Sequence, residues 1–460
     1  MMKSRIRKRA VVINGRKTSV SVEDAFWEPL KEIATARRTS VANVISLIEA
    51  HLQPPRLAQR EQMLYARRDL KMARSAYAYV RGSTLKFHEW LDQHGSTGLP
   101  DGPAVWICGD CHAGNLGPVA DAKGRVEIQI RDLDQTVIGN PAHDLIRLGL
   151  SLATASRGSN LSGVITAKIM EQMIEGYGEA LSRKDDEPAK RPETIRLAMK
   201  RAIRRSWKQL ARDRIEDSKP TIPLGHSFWP LSRTEGTELK RLFKQADVRA
   251  LATMLRSRKH DAAVKLLDAA YWVKGCSSLG RLRFAAVLSV GKNSKSNLCL
   301  MDVKEAVAAG APRYDKSPMP RNNAARVVEG ARHLSPFLGE RMLSAEVCER
   351  SVFLRELLPQ DLKLDIDQLT EAEAMKAARF LAAVVGKAHA RQMGQETRGA
   401  WKKELDRRLS KSVDAPSWLW SSVVSLIASH ETVYLEHCRK LPPHQRMAWA
   451  AVFRGANFRS

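Results

Sequence analysis

The densest set of reactive side chains lies between Val105 and Leu148. Gly109-Asp110-Cys111-His112-Ala113-Gly114-Asn115 follows one apolar run, and Asp132-Leu133-Asp134 follows another, Val126 to Ile130. Both acidic groups stand just past strand-like segments, where side chains reach a cleft rather than open solvent. Asp110 and Asn115 have the Asp-x-x-x-x-Asn spacing that separates base from metal ligand in a phosphoryl-transfer loop. Asp132 stands 22 residues beyond Asp110, where such a site needs its main Mg²⁺ carboxylate. Hard cations take oxygen ligands, and Asn115, Asp132 and Asp134 supply them. His112 is a further catalytic candidate, although a histidine there more often fixes a loop by hydrogen bonding than acts as a base.

A second group follows later in the chain. Lys274-Gly275-Cys276-Ser277-Ser278-Leu279-Gly280 stands between strand-like segments, and Gly275, Ser277, Ser278 and Gly280 suit a small-residue loop whose N–H groups cradle phosphates. Leu298 to Val303 is a strand delivering Lys304, and a helix from Ala324 to His333 carries Glu329 as its expected ion-pair partner. Val352 to Leu357 is expected to be the strand leading to an adenine-binding hinge near Leu358 to Gln360.

Gly109-Asp110-x-His112-x-x-Asn115, Asp132-x-Asp134 and Gly139-Asn140-Pro141-Ala142-His143-Asp144-Leu145 resemble the catalytic block of aminoglycoside-phosphotransferase-type kinases. The wider pattern, from Tyr79-x-Arg81-Gly82 to Gly386-Lys387-Ala388-His389-Ala390-Arg391, is similar to the bacterial family called domain of unknown function 2252, over residues 60–395. The resemblance implies a two-lobed α+β kinase-like fold, ATP as substrate, Mg²⁺, and supporting roles for Arg81, Asp144 and His389. In an ordinary kinase the glycine loop and lysine precede the catalytic loop; here they follow it, so the fold expected is circularly permuted. It divides into a catalytic-loop block at 104–150, a helical insertion at 160–260, a glycine-loop and lysine block at 271–334, and a hinge strand with C-terminal helices at 350–460. The competing class is a DNA-binding regulator whose large domain only senses nucleotide or another ligand.

Composition bounds these readings. The 460 residues carry 76 Lys+Arg against 50 Asp+Glu, a formal net charge of +26, which points to polyanionic partners or anionic substrates. Six cysteines are too few for a disulfide scaffold and fit a reducing cytoplasm. No apolar run approaches the ~18 residues of a membrane span. The basic start, Met1 to Ala10, is not followed by the apolar core of an export signal. That argues against haem attachment at Cys108-x-x-Cys111-His112, and no second Cys/His pair stands near enough for zinc. Thr194 to Arg212, with seven Lys/Arg and no acid, reads as one solvated helix face or a phosphate patch.

Residues 1–55 read as a separate strand-helix-helix unit, joined through Pro54 to a domain over 56–460. Lys17, Ser19 and Ser21 alternate with Val20 and Val22, and two helices follow, the first carrying Phe26, Leu30 and Ile33, the second Val41, Val44, Ile45 and Ile48. Two apolar stripes on so small a unit need a partner, so a homodimer is expected. The pattern resembles ribbon-helix-helix DNA-binding domains, which implies Lys17, Ser19 and Ser21 toward bases and a basic Met1 to Arg9 arm on phosphates. A dimerisation appendage is the alternative. If the DNA reading holds, affinity for duplex falls steeply with salt, and Lys17→Ala with Ser19→Ala loses sequence preference more than total binding. Competition between specific and random duplex, run on the full chain and on residues 56–460, checks this. Equal indifference to sequence, with both chains monomeric by light scattering, would make residues 1–55 an appendage.

Overall fold

The computed structural model describes residues 6–13, 16–36, 38–45, 59–94, 98–158, 163–183, 191–215, 221–291, 298–315, 317–362, 364, 370–407 and 417–441, and the fold is α+β. At the N-terminus β1 (Ile6–Ile13) pairs antiparallel with β2 (Arg16–Glu23) through eight positions, Val12 opposite Lys17 and Ala10 opposite Ser19. This corrects the expected single strand preceded by an arm: residues 6–9 belong to a strand that pairs within the chain. Helix α1 (Asp24–Ala36) follows, and a further helical turn spans 41–45. Trp27, Leu30 and Ala34 pack on Val44 and Ile45, with Ile33 and Val41 at the margin. Ile48 lies outside the described residues.

The larger part opens with α2 (Arg60–Met72), α3 (Ala76–Gly82) and α4 (Thr84–His94). Two small antiparallel pairs come next: β3 (Val105–Ile107) with β6 (Val137–Gly139), and β4 (Leu116–Ala120) with β5 (Val126–Ile130). Helices α5 (Ala142–Gly158) and α6 (Gly163–Ser182) follow and pack on each other. The expected single basic helix from Thr194 is two, α7 (Glu193–Ile203) and α8 (Trp207–Ile215). The break falls at Ser206, whose N–H donates to Gln209 Oε1 at 2.8 Å, the reciprocal half of a capping box that starts a new helix.

Helices α9 (Arg233–Leu242) and α10 (Ala246–Thr253) precede most of a six-stranded antiparallel sheet in the order β11-β12-β10-β9-β8-β7. Its strands are β7 (Phe228–Trp229), β8 (Val264–Trp272), β9 (Arg283–Val290), β10 (Leu298–Glu305), β11 (Met342–Val347) and β12 (Arg350–Glu356). Alternation along β10 assigns Cys299, Met301 and Val303 to one apolar cluster and Leu298 and Leu300 to another. The latter face continues into Asp302 and Lys304, so its apolar surface becomes charged at the end of the strand. Helix α11 (Asn323–Leu334), capped by Asn322, and the short α12 (Pro336–Gly339) lead to β11.

Two features tie the halves together. Helices α6 and α13 (Glu371–Ala390) cross at glycines, since a Cβ on Gly386 would sit 2.9 Å from the Tyr177 carbonyl oxygen and one on Gly176 would overlap the Arg379 carbonyl. Helices α14 (Gln395–Arg407) and α15 (Ser417–Lys440) complete the body. The other feature is Arg341, fully buried, which donates to the carbonyls of Ala120 (2.8 Å) and Glu356 (2.9 Å) and pairs with Asp361 at 3.2 Å. It thereby joins β4, the end of β12 and the segment that follows. Asp361→Ala leaves that guanidinium buried without its counter-charge, and urea unfolding is expected to lose about 3–5 kcal/mol.

Candidate active site

Strand β3 ends at Ile107, and the next two backbone N–H groups, of Cys108 and Gly109, both donate to the Asp144 carboxylate at 2.7 and 2.9 Å. Asp144 is fully buried in the first turn of α5. Its Oδ2 also meets His389 Nε2 at 3.2 Å, His389 Nδ1 lies 2.9 Å from the Tyr177 hydroxyl, and Trp401 Nε1 donates to that hydroxyl at 3.1 Å. A carboxylate only accepts, so His389 donates from Nε2 and accepts at Nδ1. Gly109 adopts φ +71°, and a Cβ there would collide with the Gln135 carbonyl. Its own carbonyl accepts from His88 at 2.7 Å. The loop is thus fixed on both sides of Asp110.

Asp110 accepts from Arg147 Nε at 2.7 Å and from Thr84 Oγ1 at 2.9 Å. Burial would raise its pKa, but the Arg147 charge and the hydrogen bonds from Arg147 and Thr84 outweigh it and hold the carboxyl below its ordinary value. Asp110 is therefore an oriented anion. Asn115 donates Nδ2 to the Asp110 carbonyl at 2.9 Å, which keeps its amide oxygen as an acceptor. Burial pushes His112 down to about 3, so it is neutral at physiological pH, and its Nδ1 is buried without a partner among the described residues.

The structure brings Lys304 to Asp132 and Asp134: its Nζ lies 3.2 Å from Asp132 Oδ1 and 2.5 Å from Asp134 Oδ2. The Lys304 side chain is 5% exposed, whereas that of Asp132 is 47% exposed. Burial works to raise both carboxyls. Lys304, Arg355 and Arg283 carry Asp132 well below its usual range, while the Asp132 charge keeps Asp134 above it. The second oxygen of Asp134, Oδ1, is buried and has no hydrogen-bond partner among the described residues. A buried carboxylate oxygen left over beside an exposed carboxylate and an amide oxygen is a donor set suited to a hard cation.

Glu329 is not in this cluster. It pairs with Arg332 at 3.2 Å and His333 at 3.3 Å on its own helix. The residue of α11 that reaches the site is Arg326, one turn earlier and buried, which donates to the carbonyls of Asp134 (3.0 Å), Val307 (2.9 Å) and Thr136. Arg326 holds the backbone of the acidic segment as Lys304 holds its side chains. Beside it lies a cavity of about 910 Å³, lined by residues that include Asp92, Val137, Arg313, Arg321 and Arg326.

The 274–280 loop connects β8 to β9. Gly275 and Gly280 have φ of +96° and +101°, and a Cβ on Gly275 would lie 3.8 Å from Arg283 Nη1. Arg283 pairs with Asp302 at 2.6 Å, two residues before Lys304. The N–H groups of Gly275, Cys276, Ser277 and Ser278 donate to nothing among the described residues. Consecutive free N–H groups beside a left-handed glycine form an anion-binding concavity. The apolar end of the same sheet face is covered: Leu210, Ala211 and Ile222 pack on Leu300, Ala285 and Leu357, next to the expected hinge.

Cys108 Sγ, Cys111 Sγ and an Asp144 oxygen lie within 4.8 Å of one another. Both Asp144 oxygens are already in use. Its hydrogen bond with Cys111 and its burial keep Cys108 protonated; in Cys111 the hydrogen bond favours thiolate but burial outweighs it.

Burial also lowers His143 to about 4. Unfolded histidine titrates near 6.5. Between about pH 6.5 and 4 the unfolded chain takes up protons that the folded chain refuses, so stability is full above this window and falls as pH drops through it. His112→Gln should flatten that fall by up to about 1.4 kcal/mol per pH unit. Urea unfolding at pH 7 and pH 5 checks it, and an unchanged slope would mean that the folded chain protonates His112.

Two family models match this chain. A ribbon-helix-helix domain matches residues 6–58, and DUF2252, described as an uncharacterized protein conserved in bacteria, matches residues 60–440. No curated protein and no solved structure matches. No helix among the described residues is long and apolar enough to cross a membrane. The second match takes in the loop of Asp110, the acidic pair, Lys304 and the Asp144–His389 support, and the chain belongs to the DUF2252 family.

Proposed function

We propose that the chain is a kinase-like phosphotransferase that uses Mg·ATP, with its site between the Asp110 loop and the end of β10. One observation carries this reading: Lys304, from the sheet, is clasped by Asp132 and Asp134, 172 and 170 residues earlier in sequence. A phosphate-pairing lysine and metal-binding carboxylates must share one cleft whatever their order in the chain, which fits a permuted two-lobed fold. Asp132, Asp134 and Asn115 would hold Mg²⁺, which supplies neutralisation of donor phosphate charge. The free N–H groups of the 274–280 loop suit the phosphates.

Asp110, ionised and aimed by Arg147 and Thr84, orients the acceptor hydroxyl. As the acceptor oxygen bonds to phosphorus, the bond to the leaving phosphate oxygen breaks and the hydroxyl proton passes to Asp110. Positioning and charge neutralisation supply the rate. Glu329 has no part in this reading, and Arg326 takes over the helix-to-site contact.

The ribbon-helix-helix domain favours a second reading, a dimeric DNA-binding regulator whose larger domain only senses nucleotide. The six free thiols suit the cytoplasmic setting of either. Calorimetry with Mg·ATP should show one site that Asp132→Ala and Lys304→Ala both weaken, and Asp110→Asn should keep binding yet lose turnover by ~10²-fold. Equal binding by all proteins would remove the cleft; binding without turnover in the parent chain would favour the sensor.

A further inference from the structure

Helices α2 and α3 bridge the 274–280 loop and the Asp110 loop. Tyr65 of α2 lies against Gly280, where a Cβ would overlap its ring. Lys71 Nζ donates to the Gly275 carbonyl at 2.9 Å. A Cβ on Gly82 would lie 2.8 Å from Cys276 Sγ, and one on Gly114 would lie 3.3 Å from Arg81 Cζ. Arg81 thus stands against the loop of Asp110 and Asn115, and its neighbour Gly82 against the phosphate-suited loop. With Gly275 near Arg283, Arg283 on Asp302, and Lys304 on the acidic pair, these contacts close a ring around one space.

The ring is crowded with cations. Burial, joined by the charges of Arg74, Arg67 and Arg283 and opposed by Cys276, lowers Lys71 to about 8. Burial and the charges of Arg67, Lys71 and Arg74 keep His226 down at about 4. Among the described residues Lys71 donates to a carbonyl, not a carboxylate, and Arg81 Nε is buried without a partner. Gathering like charges at one place is unfavourable unless a polyanion offsets them.

We propose that Lys71 and Arg81 form a cationic bracket that binds the phosphate chain of the donor, with Arg81 on the phosphoryl group in transfer. This rests on the phosphotransferase reading, adds Lys71, and gives Arg81 a binding role in place of the supporting one that the resemblance implies. The covered apolar end of the sheet face leaves the phosphate chain as the part of the donor that this cleft is equipped to hold. Arg81 is the residue suited to a flattening phosphoryl group, because its planar fork donates to two oxygens at once.

The test uses the full chain with magnesium tripolyphosphate, which has neither base nor ribose. Calorimetry should detect binding that Lys71→Met and Arg81→Gln each weaken tenfold or more, with thermal midpoints within a few degrees of the parent. With Mg·ATP, Lys71→Met should act mainly on KM, and Arg81→Gln mainly on kcat, which Arg81→Lys restores in part. If Lys71→Met fails to fold, part-exposed Arg81 carries the same comparison. Tripolyphosphate binding that these variants weaken, in a chain without turnover, keeps the bracket and removes the phosphotransferase reading. Parent-like binding and turnover in both variants, or no tripolyphosphate binding by a chain that binds ATP, overturns the bracket.

Discussion

The structure turns on one buried ammonium shared by two carboxylates. Lys304 stands at the end of a strand whose other face carries Cys299, Met301 and Val303, and its carboxylate partners arrive from a loop that closes before α5 begins. Two carboxylates this close repel each other, and the lysine resolves the conflict unevenly, with Asp132 fully ionised and Asp134 reluctant to be. Removing the lysine would leave uncompensated charge at the junction of the sheet and the small strand pairs. Removing both acids would strand a buried ammonium. The same mutual dependence lets a cation compete for the acids while the lysine turns to an anion.

The surrounding polar groups make that contact reproducible. Arg326 fixes the carbonyls on either side of the acidic segment, Arg355 donates to the Arg131 carbonyl at 2.9 Å just before it, and Arg341 locks β4 to the end of β12. On the other side, Trp401, Tyr177, His389 and Asp144 form a buried series that ends on two backbone N–H groups. A site held through backbone groups tolerates changes in nearby side chains. It does not tolerate loss of the acceptor, because Asp144 satisfies two N–H groups and one imidazole at once.

Much of this was legible in the sequence, and the misses have physical causes. The strand-then-acid pattern located Asp110, Asp132 and Asp134, and continuous apolar runs marked β9 and β10. Glu329 misled because residues three apart on a helix share nearly the same side, and charge type favoured the glutamate over Arg326. Strand β11 was missed because its turn to β12 uses Cys348 and Glu349 at φ +52° and +58°, where a glycine or asparagine would have flagged a hairpin. The basic residues of α2 carry no functional signal in the sequence, since nothing in their spacing shows that a loop two hundred residues later folds against them.

Charge placement gives the final step. A net charge of +26 does not by itself say where the cations gather. Around the ring of loops they do gather: Lys71, Arg81, Arg283 and Lys304 converge from α2, the end of α3, β9 and β10, and the anions there, Asp110, Asp132, Asp134 and Asp302, are already ion-paired. In the phosphotransferase reading, a hard cation on the acidic pair would release Lys304 and tip this space positive. Only then does it suit a polyphosphate, so cation and anion should bind with positive coupling, each completing the charge balance that the other disturbs.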